Sequence, residues 1–325
     1  MKIVVDLLGG DLGINATKEG LKSFINEYRD VTIYAVGNSE LLDDLKDKVH
    51  IIDAKKTIKM DAHAMEVLHD KESSMAIAIK TLIDNDADAI VSSGSTGALL
   101  TLATLRIKKI SEDVRPALIS PIPTMKENKH SLLLDLGANS ENDVDELISF
   151  VKMSKMYYEA VYHQEATFAL LSNGKEEHKG NSLILNTHQK IKEMNLAGFK
   201  GNIESSDILN GDVDIIITDG FTGNIALKAI EGIGIIIKEL LKKTFTKSLK
   251  NKIAYLLIRK DLKRKLNMLS SKPLGGAMFI GVKKVVIKAH GNSDSIAFKN
   301  AIITAYKCVK AELIKKININ LNHGL

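Results

Sequence analysis

Several stretches of this sequence place glycine, serine, threonine and asparagine where an apolar run gives way to a helical pattern. The clearest runs from Val213 to Ile230. Val213 to Thr218 is a β-branched apolar run that reads as a buried strand. Asp219-Gly220 is turn chemistry, and Thr222-Gly223-Asn224 opens a helix whose Ile225, Leu227, Ala229, Ile230 and Ile233 share a broad apolar face. The same grammar recurs from Ile3 to Asp11, from Ile90 to Leu100 and from Leu132 to Ser140, and Gly291 to Asp294 makes one more such turn. A strand that turns through glycine into a helix leaves backbone N–H groups at the helix start, where the dipole favours an anion. In a parallel α/β sheet these turns gather at one edge, outside the strand carboxyl ends. Any one of them reads as an ordinary tight loop. Together they read as one cleft built for a phosphate-bearing ligand.

Other chemistries find less support. No Ser-His-Asp nucleophile arrangement is evident. His63 and His69 stand six apart, poor spacing for one metal on a helix, and read as surface residues. Asp212, Asp214 and Asp219 are the closest approach to a metal-binding aspartate cluster; strand alternation pairs the first two and leaves Asp219 beyond the strand. Gly9-Gly10-Asp11-Leu12-Gly13 is not a dinucleotide fingerprint.

The elements that must position these turns follow from periodicity. Lys2 to Leu7, Val31 to Val36, Val49 to Asp53, Leu132 to Leu136, Ala166 to Leu171 and Gly201 to Ser205 read as strands, as do Ala277 to Val282 and Val285 to His290. Helices are expected over Ala16 to Tyr28 (capped by Asn15), from Ser73-Ser74 through Asp84, Thr96 to Lys109, Asn142 to His163, Asn181 to Met194, and from an Asp294 cap to about Lys316, with a frayed polar tail. Met60 to Glu72 reads as irregular, and Pro121 and Pro123 as flanking a loop. The fold class is α/β with a mainly parallel sheet, in a single catalytic domain spanning 1–325 and no linker dividing it.

Length and composition are those of a soluble globular protein with ample core. The lone Cys308 excludes internal disulfides and thiolate metal clusters, and it reads as a small buried hydrophobe. No signal-peptide layout and no bilayer-spanning apolar stretch is read, which points to the cytosol. Net charge is +5, but its placement matters more than its size. Between Lys238 and Lys272 twelve basic residues face only Glu239 and Asp261, a net of +10. Leu241, Phe245, Leu249, Ile253, Leu256 and Leu257 form an apolar stripe through the same segment, so 238–272 reads as an inserted basic helical arm.

The ordered set Asp6-x-x-Gly9-Gly10-Asp11, Ser92-Ser-Gly94-Ser-Thr96-Gly97, Leu134-Asp-Leu-Gly137-Ala-Asn139, Lys179-Gly180-Asn181, Asp219-Gly-Phe-Thr222-Gly223-Asn224 and Gly275-Gly-Ala…His290-Gly-Asn-Ser resembles the bacterial phosphate acyltransferases of phospholipid synthesis. Ser95 departs from the family's usual Asn, and Lys284 from a common Gly. The resemblance implies a three-layer α/β/α fold like that of isocitrate and isopropylmalate dehydrogenases, and a homodimer loosely attached to the inner membrane face. It implies transfer of a fatty acyl group from acyl carrier protein to inorganic phosphate, with no cofactor or metal. The acyl phosphate would pass to a glycerol-3-phosphate acyltransferase.

That reaction needs phosphate held close to a thioester carbonyl, donors for the developing oxyanion, and a proton or positive field for the leaving thiol. Lys179 becomes a candidate cation for the phosphate, although spacing alone makes it a solvated loop lysine. Asn224 is a candidate oxyanion donor or an ordinary helix N-cap. His290 is a candidate donor to phosphate or leaving sulfur, or a hydrogen-bonded core histidine. Gly10, Asp11, Ser95, Thr96, Gly97, Asn139, Asn181, Asp219, Thr222 and Gly223 are expected to line the substrate site. Rival readings are an acetyl-CoA phosphotransacetylase or a metal-dependent hydroxy-acid dehydrogenase on the same fold, or a non-catalytic nucleic-acid-binding protein; no nucleic-acid partner is expected. The distal arm, 244–269, is the expected contact with anionic membrane or with acidic carrier protein.

Overall fold

The computed structural model describes residues 1–59, 62, 64–268 and 275–322. The chain opens with β1 (Lys2–Asp6), α1 (Gly13–Glu27), β2 (Thr32–Gly37), α2 (Ser39–Leu42), β3 (His50–Asp53), α3 (Ala64–His69), α4 (Ser74–Asp84), β4 (Ala89–Ser92) and α5 (Thr96–Leu102), which continues as a π-helical turn, Ala103–Ile107. It proceeds through β5 (Ala117–Pro123), β6 (His130–Leu134), α6 (Val144–Tyr162), β7 (Phe168–Ser172), α7 (Ser182–Glu193), β8 (Phe199–Glu204) and β9 (Ile215–Ile217). It closes with α8 (Gly220–Thr246), α9 (Leu249–Met268), β10 (Ala277–Ile280), β11 (Val285–Lys288), α10 (Ser295–Lys310) and α11 (Leu313–Asn322).

All eleven strands join one sheet in the order β3-β2-β1-β4-β11-β10-β5-β6-β9-β7-β8. Neighbours are parallel except at β11-β10, β10-β5 and β5-β6. Those three reversals mean that β1, β2, β3, β4, β11 and β5 run one way and β10, β6, β9, β7 and β8 the other. Helices cover both faces. Phe24, Phe150, Tyr157, Ile184, Phe298 and Ile317 carry α1, α6, α7, α10 and α11 onto one face. Ala78, Leu82, Leu99, Leu102, Leu227 and Ile230 carry α4, α5 and the start of α8 onto the other. The strands are buried on both faces, so they read as unbroken apolar runs such as Ile3-Val4-Val5.

Several expected caps form as read: Ser73 accepts from Ala76 N, Asn181 from Ile184 N and Asp294 from Ala297 N. Other expectations are corrected. Helix α1 starts at Gly13, two residues before the expected Asn15 cap, with no side-chain cap at Leu12. The stretch read as irregular contains α3, anchored by buried Val67; His69 is exposed, and His63 lies outside the described residues. Pro121 and Pro123 lie inside β5, in the part paired to β6 but not to β10, where a missing N–H is tolerated. The tail does not fray at Lys316: the chain turns at Glu312, whose φ is +52°, and restarts as α11 with Leu313 and Ile317 buried.

As far as Met268 the basic arm is a helical hairpin of α8 and α9; 269–272 lie outside the described residues. Helix α8 has the length and a mean hydropathy of 1.3 that a membrane-crossing helix needs, against the expectation that no such stretch exists. Its first turns are seated on the sheet through Gly220, Gly223, Leu227 and Ile230. Its remainder leaves Ile233, Ile235, Ile236, Ile237 and Leu240 exposed in the single chain.

Candidate functional site

The strand reversals divide the glycine-rich turns between two sheet edges, not one. The turns after β1, β4 and β11 share one edge and hold Gly10, Asp11, Ser95, Thr96, Gly97 and His290. The turns after β6, β7 and β9 share the opposite edge and hold Asn139, Lys179, Asn181, Asp219, Thr222, Gly223 and Asn224.

The second edge is organised around Asp135, a fully buried carboxylate just past β6. Its oxygens accept from the amides of Leu118, Ala138 and Asn139 and from the Asn139 side chain. Burial raises its pKa, and these hydrogen bonds oppose the rise. Asn139 also donates to Pro116 O, so its buried amide holds the turn together. The start of α8 packs directly on this turn: a Cβ on Gly223 would lie 2.0 Å from the Asp135 carbonyl oxygen, which only glycine avoids.

Asp219 is the N-cap of α8, and Asn224 is not. The Asp219 carboxylate accepts from Thr222 N at 2.8 Å and from Thr222 Oγ1 at 2.7 Å, while Gly220 N donates to Asn142 Oδ1 and Gly223 N to Asp219 O. Most amides of this helix start are therefore already used, with a carboxylate seated among them. Asn224, one turn further on, is exposed; its side chain rests against Gly137, and its amide makes no hydrogen bond among the described residues. Lys179 is exposed at the same edge, its stem over Gly174 and its carbonyl accepting from Asn202. Asn181 caps α7.

At the first edge three turns interlock. Asp11 N donates to Gly291 O at 2.7 Å, and a Cβ on Gly9 would meet Gly94 Cα at 2.9 Å. Ser95 caps α5, while Thr96 and Gly97 face open space. Asp6 is buried, accepts from Ser92 Oγ at 2.7 Å and has its pKa raised to about 6 by burial. Lys288, at the end of β11, is buried and has its pKa lowered by burial to about 8.

Two helices tie the edges together across one face of the sheet. Helix α5 leaves the Ser95 turn, and it and its continuation bring Leu100 and Thr104 to a cleft of about 450 Å³ shared with Arg115, Pro116, Ala138 and Asn139. Helix α8 runs the other way, and seven residues beyond Asn224, about 10 Å at the usual helical rise, Glu231 Oε1 lies 3.6 Å from His290 Nε2. His290 is exposed, and its Nδ1 accepts from Asn292 N at 3.5 Å, so it is a loop residue and not a core histidine. His290 and Lys228 hold the Glu231 carboxyl down at about 2. The sequence reading missed Glu231 and Lys288. A helical carboxylate carries no local signal of a distant histidine, whereas a lysine closing the apolar run Val285-Val286-Ile287 was visible and passed over.

The aspartates weighed as metal ligands are engaged separately. Asp212 pairs with Lys126, Asp214 binds Thr167, Tyr158 and Lys129, and Asp219 caps α8.

A family model described as a fatty acid synthesis protein matches residues 1–316. The phosphate acyltransferase of Clostridium botulinum (strain Alaska E43 / Type E3) is 41% identical over 316 residues, covering 93% of each chain. That of Clostridium novyi (strain NT) is 37% identical over 334 residues, covering 100% of each. Among solved structures, a phosphotransacetylase from Streptococcus pyogenes superposes with a TM-score of 0.59 at 17% identity, covering 95% of this chain and 94% of that one. A branched-chain phosphotransacylase from Enterococcus faecalis V583 gives 0.55 at 14%, covering 94% and 99%. A 4-hydroxythreonine-4-phosphate dehydrogenase from Klebsiella pneumoniae gives 0.50 at 10%, covering 98% and 99%. These structural likenesses speak to the fold.

Proposed function

Since the chain belongs to the phosphate acyltransferase family, enzymes that transfer acyl groups to phosphate in phospholipid synthesis, we propose that its acyl donor is a fatty acyl thioester of acyl carrier protein. Phosphate oxygen attacks the thioester carbonyl, the carbon–sulfur bond breaks, and acyl phosphate and the carrier thiol leave. The observation that carries the site assignment is the pairing of an exposed, uncommitted Asn224 amide with the Asp135-braced turn beneath it. A donor fixed at its base and free at its tip suits an oxyanion that forms only in the transition state.

In this reading Lys179 supplies positive charge for phosphate at the same edge. His290 donates to phosphate or to the leaving sulfur, oriented by Glu231. Gly10, Asp11, Thr96 and Gly97 line the opposite end of the path, while Ser95, Asn139, Asn181, Asp219, Thr222 and Gly223 act by shaping the turns.

The chain is one catalytic unit, residues 1–325, with the hairpin inserted in it, and it works as a homodimer. It sits in the cytoplasm at the inner membrane face, where a glycerol-3-phosphate acyltransferase receives the acyl phosphate. Apolar side chains left exposed on α8 from Ile233 to Leu240 suit a partner protomer, and the cationic outer hairpin suits anionic lipid or an acidic carrier protein.

The donor assignment is tested by trapping acyl phosphate with hydroxylamine, using acyl carrier protein, coenzyme A and acetyl-coenzyme A thioesters side by side. The carrier-protein donor should give the highest kcat/KM. Preference for acetyl-coenzyme A would reassign the chain to phosphotransacetylase chemistry.

A further inference from the structure

The edge that the expected anion site left in second place holds the better-built anion pocket. Lys288 is 7% exposed. Its ammonium donates to the carbonyl oxygens of Ala289 and, at 3.4 Å, Ser93. Among the described residues no carboxylate oxygen lies within 4.0 Å of it. A buried ammonium held only by neutral carbonyls keeps much of its field for something else.

Ser93 is the second feature. It is 1% exposed, and its Oγ has no hydrogen-bond partner among the described residues. Buried hydroxyls are ordinarily satisfied, so an orphan calls for a reason. This one points at Gly10: a Cβ built there would sit 2.9 Å from Ser93 Oγ. The absent side chain leaves the Ser93 hydroxyl beside the Gly10 backbone, ahead of α1, whose N-terminus has no side-chain cap. By contrast, the start of α8 is filled by its own Asp219.

We propose that Ser93 and Lys288, with the backbone of the Gly9-Gly10 turn, form a binding subsite for a phosphate-class oxyanion used in the reaction. The inference rests on the reading of the chain as a phosphate-using acyltransferase; with inorganic phosphate as the ligand, it places that phosphate at this edge in place of the Lys179 edge. Two substrates bring this chemistry: inorganic phosphate, and the phosphodiester of a carrier's pantetheine arm. Asp6 and Asp11 are the carboxylates that face Lys288, from β1 and the turn after it, and His290 lies two residues beyond on its own strand's turn.

Ser93→Ala is the decisive variant. Loss of an unpartnered hydroxyl should leave the melting temperature without ligand unchanged. Lys288→Met, nearly isosteric, is its companion. Binding of inorganic phosphate is read by phosphate-dependent thermal shift, and the apparent KM values for phosphate and for acyl donor are read separately. If inorganic phosphate is the ligand, the phosphate midpoint and its KM rise about threefold or more in Ser93→Ala and about tenfold or more in Lys288→Met, as loss of one charge-assisted contact implies. If the pantetheine phosphodiester is the ligand, only the donor KM rises. Folded Ser93→Ala with both KM values and phosphate binding unchanged overturns the subsite, even if Lys288→Met fails to fold. Wild-type protein that binds phosphate through these residues but makes no acyl phosphate would instead refute the functional reading and leave the subsite standing.

Discussion

Asn224 and Asp219 sit five residues apart on the same helix start and do opposite things. Asp219 spends its carboxylate on the Thr222 amide and hydroxyl, so Asp219→Ala should cost about 1 kcal/mol of stability, the usual worth of an N-cap, read by urea unfolding. Asn224 has no such duty. Asn224→Ala should leave the urea midpoint unchanged and lower kcat on the order of a hundredfold, as loss of one oxyanion donor does; near-normal turnover would remove it from the mechanism. Asp6 makes a pH prediction. Its native pKa stands at about 6 against an ordinary 3.8, so its contribution to stability is full below the unfolded value and is lost as pH rises through about 6. The melting temperature of Asp6→Asn minus that of wild type should therefore rise between pH 5 and pH 8, and a difference that stays flat or falls over that range would contradict the burial argument. Lys288 adds a kinetic counterpart. Facing Asp6 and Asp11, it loses its charge as pH passes about 8, so the KM of the anion proposed to bind there should climb in wild type but not in Lys288→Met.

Elements were legible where a local rule decides them. Ser73, Asn181 and Asp294 announce helix starts because a short oxygen-bearing side chain before an apolar period has few better uses. The sense of β5 and β6 was not legible. Pro121 and Pro123 resemble loop residues, and only pairing with β6 on one side makes them strand residues and reverses the sheet. That reversal split the turns between two edges, a long-range fact that no window of sequence contains. The hairpin was legible as a basic apolar arm, yet not in detail. Phe245, part of the arm's apolar stripe, packs its ring 5.3 Å from that of Tyr255 between the two helices. Leu249 and Leu257 are instead 78% and 81% exposed. Replacing Leu249, Ile253 and Leu256 by glutamine should release the protein from anionic vesicles in a flotation assay while soluble turnover stays within about twofold. The apolar contribution to interfacial binding scales with the area these residues bury. Vesicle binding that survives these changes and ignores salt would defeat the membrane role.

At the scale of the molecule, α5 and α8 cross one face of the sheet between the two edges, and the proposed path of the thioester lies along that face, between Asn224 near one edge and His290 near the other. The family was legible in the ordered motifs, since each preserves a turn that this architecture needs. Their partition was not, because it depends on the whole sheet. The central claim is that phosphate itself attacks the thioester. The direct measurement follows release of carrier thiol from fatty acyl carrier protein while acyl phosphate is counted by phosphorus NMR. Thiol release should vanish without phosphate and, with it, match acyl phosphate one for one. Thiol released at a similar rate in phosphate-free buffer, with no acyl phosphate formed, would contradict the account.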